Sequence, residues 1–161
     1  MTPEIDGAAH APRVTRSLDE LKALVGREIG LSRPFEITQQ RIDTFADATD
    51  DHQWIHVDVE RARRESPYHT PVAHGFLTLS LLPVMLASAL QMRDVKMSVN
   101  YGLNKVRFPA PVPAGSRVRA RVVLAALEEL AGCAQLSFEV TVECEGVDKP
   151  VCVAEFLVRR Y

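Results

Sequence analysis

The chain has 161 residues, 47% of them hydrophobic and 25% charged, with a formal charge of −2 at neutral pH. That length gives one domain with room for a substantial core, and the composition is that of an ordinary globular protein. The slight acidic excess argues against a protein that gains its affinity by neutralising phosphates, so no nucleic-acid partner is expected. Cys133, Cys144 and Cys152 are odd in number and form no C-x-x-C pair, so they are expected to be reduced and structural, as in a cytoplasmic protein.

Residues 1–16 are polar and proline-containing, without the apolar stretch of a signal peptide. They are expected to be a flexible segment ahead of a single domain at 17–161. Ser17-Leu18-Asp19-Glu20 has the form of a capping box, and Leu18, Leu21, Leu24 and Val25 then predict a short amphipathic helix stopped at Gly26. Gly30–Pro34 is a turn region, and Phe35-Glu36-Ile37 a short strand. Thr38 is the N-cap of a second helix, with Ile42, Phe45 and Ala46 on one face, ending near Thr49. The next stretch, Asp50 to Asp58, gathers three acids, two histidines and an amide, and is expected to be a loop. Asp58 caps a third short helix that Ser66-Pro67 ends.

From Thr70 to Met92 the chain has no charged side chain. That approaches the length of a membrane span, but Pro71, His74, Thr78, Ser80, Pro83 and Ser88 interrupt it, and a sheet in need of apolar cover follows. The spacing therefore predicts a helix over His74–Leu90 buried on more than one side, kinked or broken by Pro83, and no membrane association. Beyond Met92 the period changes to two. Arg117, Arg119 and Arg121 alternate with Val118, Ala120 and Val122; Gln135, Ser137, Glu139, Thr141 and Glu143 alternate with Leu136, Phe138, Val140 and Val142. These are strands with one wet and one buried face, and Val95–Phe108 and Val151–Arg160 make two more. A long apolar helix followed by four long antiparallel strands is an α+β arrangement in which the sheet curls around the helix.

Within the acidic stretch, Asp51 and His56 are the candidate pair for proton transfer, because a carboxylate and an imidazole from one loop can hold a water between them. The plainer alternative is a turn cap and a loop histidine. Asp51, His52, His56, Asp58 and His74 could supply metal ligands, but no glutamate follows the first histidine as in H-E-x-x-H, and no metal is expected. Gly75 lies near the start of the apolar helix, where a backbone N–H has no partner within the helix and a missing Cβ lets a carbonyl approach; the alternative is tight helix packing.

Three ordered motifs then match a known family: Asp51-His52-Gln53-Trp54-Ile55-His56, Ala73-His74-Gly75-Phe76, and Asn104-Lys105-Val106-Arg107-Phe108-Pro109-Ala110-Pro111-Val112-Pro113-Ala114-Gly115. The chain resembles the MaoC-like (R)-specific enoyl-CoA hydratases, or hydratase 2. Its Gln-Trp-Ile, where Asn-Pro-Leu is usual, is most similar to the NodN-like branch. The resemblance implies a single hot-dog fold, a homodimer, an acyl-CoA substrate, and reversible syn addition of water to a trans-2-enoyl-CoA, without a cofactor. By the same likeness Asp51 and His56 are catalytic, Gly75 is the oxyanion donor and Gln53 the substrate-binding amide. Lys105 and Arg107 are guesses for CoA phosphates, with ordinary strand-edge charges as the alternative. An acyl-CoA thioesterase and a non-catalytic acyl-binding or partner protein stay open as other functions. Two positions depart from the family pattern: Asp50 stands where glycine is usual, and Gln53 is one methylene longer than the usual asparagine.

Overall fold

The computed structural model describes Ile5 and residues 11–161. The elements in order are β1 (Arg13–Thr15), α1 (Leu18–Lys22), β2 (Arg27–Leu31), β3 (Phe35–Glu36), α2 (Gln39–Thr49), α3 (Trp54–Val57), α4 (Val59–Glu65), α5 (Gly75–Ser80), α6 (Leu82–Ala89), β4 (Leu90–Met92), β5 (Ser98–Arg107), β6 (Arg117–Leu130), β7 (Cys133–Cys144) and β8 (Cys152–Arg160). An antiparallel sheet runs in the order β2-β6-β7-β8-β5, with β3 also on β6. This is the α+β hot-dog architecture expected from the sequence.

The alternating pattern sets which way the sheet faces. Val118, Ala120, Val122 and Leu124 of β6 stand opposite Cys144, Val142, Val140 and Phe138 of β7, and all eight are buried. Leu82, Met85, Leu86 and Ala89 of α6 join them in one core. Each large side chain buried this way contributes about 1.5–3 kcal/mol relative to exposure. The intervening residues form an ionic ladder on the outer face. Arg117 pairs with Glu145 at 2.6 Å, Arg119 with Glu143 at 3.0 Å, and Arg121 with Glu143 at 3.1 Å and Glu28 at 3.0 Å, linking β2, β6 and the β7 end.

The predicted caps form. The Ser17 hydroxyl accepts the Glu20 N–H, Thr38 accepts from Arg41 and Asp58 from Arg61. Glu20, however, accepts from the Arg16 N–H, one residue ahead of the capping-box position. The apolar helix comes in two pieces, α5 and α6, that meet at Leu81. Pro83 has no N–H to give to Leu79, so the ladder breaks just ahead of it; the Leu81 N–H bonds Thr78 at 3.2 Å and Met85 restarts the helix on Leu81 at 2.9 Å. Among the described residues no helix is long and apolar enough to cross a membrane.

Three expectations need correction. The turn region expected at Gly30–Pro34 begins inside a strand, since Arg27–Leu31 pairs antiparallel with β6 and gains its place from that distant partner. The acidic stretch is not loop throughout: Trp54–Val57 closes one helical turn, with the Asp58 N–H on the Trp54 carbonyl at 3.0 Å. In the segment expected to be flexible, residues 1–4 and 6–10 lie outside the described residues, but Ile5 is buried and Arg13–Thr15 is a strand parallel to β4. Val14 lacks the neighbours that would have marked a strand by alternation, and its partner is a three-residue strand far along the chain. All three cysteines are free, with Cys144 and Cys152 buried.

Candidate active site

The site is assembled where α2 ends. Asp50 caps that helix in the left-handed conformation (φ 57°, ψ 17°). The position asks for a residue that tolerates positive φ, and aspartate is among the side chains that do. The Asp50 carboxylate acts on the exposed His52, whose imidazole is held above its usual range first by a hydrogen bond to Asp47 and further by Asp50. His52 is thus turned away on Asp47, and Asp58 is used in capping α4.

The single turn of α3 carries His56 inward. Its backbone N–H bonds the Gln53 carbonyl at 2.9 Å, its carbonyl accepts from Gln39 Nε2 at 2.8 Å, and its ring is buried. Nδ1 donates to the Val72 carbonyl at 2.6 Å. A carbonyl can only accept, so Nδ1 carries the proton and the neutral ring presents an Nε2 lone pair on its other side. Burial pushes the His56 pKa below its ordinary value and the neighbouring His74 adds to this, against opposing pulls from the Val72 bond and the Asp51 charge. Val72 is held in turn: its N–H bonds the Ile55 carbonyl at 3.1 Å, and the segment around it pairs with the Pro-rich strap, Ala73 N–H to Val112 at 2.8 Å and Ala114 N–H to Pro71 at 2.9 Å.

Asp51, His56 and His74 come together, with one ligating atom from each lying within 4.8 Å of the others. His74 is 3% exposed; its Nε2–H donates to the Asp51 backbone carbonyl at 2.8 Å and lies 3.9 Å from the Asp51 carboxylate. Its ring stacks on His56 with centroids 3.8 Å apart and planes inclined by 25°. The Asp51 carboxylate itself is 55% exposed, on the solvent side of the pair. One nitrogen of each histidine is therefore committed to a backbone carbonyl. The His56 Nε2 and the Asp51 carboxylate are the groups left to meet a water or substrate, as proton transfer requires.

Gly75 is the first residue of α5, so its N–H has no partner within that helix. A Cβ built on it would meet Phe108 Cδ2, Cγ and Cε2 at 2.9, 3.0 and 3.1 Å. His56, Gly75 and Phe108 line one cleft of about 270 Å³, completed by Tyr68, Thr78 and Pro109–Val112 among others. Of the remaining candidates, Gln53 is exposed at the N-cap of α3 and is not in the cleft lining. Lys105 and Arg107 are exposed on β5, also outside that lining, with Lys105 at positive φ (52°) in a bulge. The Val72 carbonyl and Phe108 contribute to the site without standing out in the sequence as single residues. A backbone carbonyl leaves no mark in sequence, and Phe108 was visible only inside the quoted motif.

The fold and this site define a hot-dog protein with an acid–imidazole pair whose histidine shares a cleft with the first residue of a helix. The model of the MaoC-like domain matches residues 20–147, and the chain belongs to that dehydratase family. It is 52% identical over 148 residues to 3-hydroxyacyl-thioester dehydratase Z of Mycobacterium tuberculosis, covering 91% of this chain and 97% of that protein. It is 46% identical over 143 residues to nodulation protein N of Rhizobium meliloti, covering 88% and 89%. Among solved structures it is similar to the (R)-hydratase of A. caviae involved in PHA biosynthesis, with TM-score 0.65, 25% identity, and coverage of 83% and 94%.

Proposed function

We propose that this protein is an (R)-specific enoyl-CoA hydratase acting in fatty-acid metabolism, adding water reversibly to a trans-2-enoyl-CoA to give the (R)-3-hydroxyacyl-CoA. The observation that carries the reading is that His56, with its Nε2 lone pair uncommitted, and Gly75 line one cleft, while the exposed Asp51 carboxylate lies beside His56. In the hydration direction, a water held between Asp51 and His56 gives up a proton to one of them. Its oxygen bonds to C3, and the electron pair of the double bond moves toward the thioester oxygen, which rests on the Gly75 N–H. Return of a proton to C2 on the same face completes the product. An oxyanion donor of this kind lowers the barrier by about 3–4 kcal/mol. The depressed basicity of His56 keeps its ring neutral near pH 7, as a proton acceptor requires.

The substrate carrier is read as coenzyme A from the family, with Lys105 and Arg107 as candidate phosphate contacts and Gln53 as a contact near the acyl thioester. The protein acts as a homodimer in this reading. β5 lies at the end of the strand order and exposes Val99, Tyr101 and Leu103 over its length, a surface that invites pairing with a second copy. Light scattering gives the mass that tests it.

Purified protein mixed with crotonyl-CoA is expected to remove the enoyl absorbance without releasing free thiol. Thiol release would make it a thioesterase instead, and no change in either signal would leave a binding or partner role, as the likeness to nodulation protein N allows.

A further inference from the structure

We infer that His74 is the positioning residue of this site, the side chain that fixes Asp51 and His56 relative to one another and to Gly75. The inference rests on the hydratase reading above and adds a second histidine-borne role to it. Three observations carry it. The His74 Nε2–H holds the Asp51 backbone carbonyl at 2.8 Å, which sets where the Asp51 side chain starts. The His74 ring lies against His56 at 3.8 Å. The Val72 bond alone pins His56 at one nitrogen and leaves the ring free to rock; the stack blocks that motion and keeps Nε2 aimed. Third, His74 immediately precedes Gly75, so the same residue that holds the acid loop also begins the helix bearing the oxyanion donor.

The choice of residue points the same way. His74 occupies the N-cap of α5, where serine, threonine, aspartate or asparagine would satisfy the helix, and it makes no side-chain cap bond. Its Nδ1 is buried with no hydrogen-bond partner. Both features disfavour folding, and neither is needed for a core contact that phenylalanine or leucine would make as well. A tilted contact with Phe45, ring centroids 5.1 Å apart, holds the other side of the ring.

Two substitutions separate the contacts. His74→Phe keeps the stacked ring and deletes the hydrogen bond; His74→Gln keeps an N–H near the Nε2 position and deletes the ring. With crotonyl-CoA, His74→Phe is expected to lower kcat about 100-fold, the loss that follows small misplacement of reacting groups, with KM changed by less than about threefold. His74→Gln should recover kcat to within about tenfold of the wild type by the same reasoning. Asp51→Asn is run beside them as a reference. Wild-type kcat in His74→Phe with an inactive Asp51→Asn would overturn the positioning role and leave the hydratase reading standing. Equal losses in the two His74 variants would overturn the hydrogen bond as the positioning contact. A loss that merely follows the folded fraction seen by circular dichroism would make His74 structural. Wild-type activity in Asp51→Asn would instead remove the site assignment on which all of this rests.

Discussion

Gly75→Ala tests the site at its tightest point. The added methyl would sit 2.9–3.1 Å from three atoms of the Phe108 ring, where ordinary carbon contacts are about 3.5–4.0 Å. Overpacking of this degree costs about 1–3 kcal/mol, but Phe108 is 40% exposed and has room to swing outward. Alanine also recovers up to about 1 kcal/mol of backbone entropy relative to glycine. The net expectation is a loss of stability of about 0–2 kcal/mol, read from urea unfolding. Activity should fall much further. If the Gly75 N–H receives the thioester oxygen, a methyl at this point keeps the carbonyl away, and losing about 3 kcal/mol of transition-state stabilisation lowers kcat about 150-fold. The double variant Gly75→Ala/Phe108→Ala separates the two effects. It should regain the packing part of the stability loss while kcat stays low. Recovery of kcat in the double variant, or wild-type kcat in Gly75→Ala alone, would refute the oxyanion assignment and leave the glycine as a packing device for Phe108.

Other outcomes follow from the same geometry. Asp50→Gly relaxes a left-handed cap and should raise stability by a few tenths to about 1 kcal/mol, whereas Asp50→Val should lower it by about 1 kcal/mol or more, both measured by urea midpoints. Because the folded His56 pKa lies below its ordinary 6.5, the unfolded chain binds more protons in the window below that value. The His56 contribution is therefore complete above pH 6.5 and is lost as pH falls through the depressed folded value; His56→Asn should flatten the acid side of the stability–pH curve. Burial raises the Cys152 thiol to about 11, leaving about one thiolate in a thousand at pH 8. Cys144 and Cys152 should thus react with a disulfide reagent only on unfolding, while the half-buried Cys133 reacts in the native protein.

The long strands β6 and β7 were legible because their residues announce them twice, through apolar alternation on the inner face and through Arg117, Arg119 and Arg121 on the outer one. The caps at Ser17, Thr38 and Asp58 were equally readable, since each satisfies a backbone donor within three residues. What stayed hidden depends on contacts distant in sequence. The strand at Arg13–Thr15 exists by virtue of Leu90–Met92, and the turn at Trp54–Val57 is held by Gln39 and Val72 from outside it. In the site, Asp51, His56 and Gly75 were nameable from the motif, but the tautomer of His56 depends on a carbonyl 16 residues away. Asp50 was conspicuous as an extra charge, whereas in the structure it is the left-handed backbone at the end of α2 that makes the position unusual.

The strand order also dictates a sequence of events during folding. β8, which comes after every other strand in the chain, lies between β7 and β5. β5 thus has to wait for partners 46 residues later at the Arg107–Val153 end and 62 residues later at the Ser98–Arg160 end. Until then both edges of a ten-residue strand with Val99, Tyr101 and Leu103 stand open. Pairings of such long range are made slowly, and an open apolar strand in the interval is a site of misassociation. Variants that weaken β8, far from any chemistry, would therefore be expected to lower the yield of soluble protein before they change the activity of the molecules that do fold.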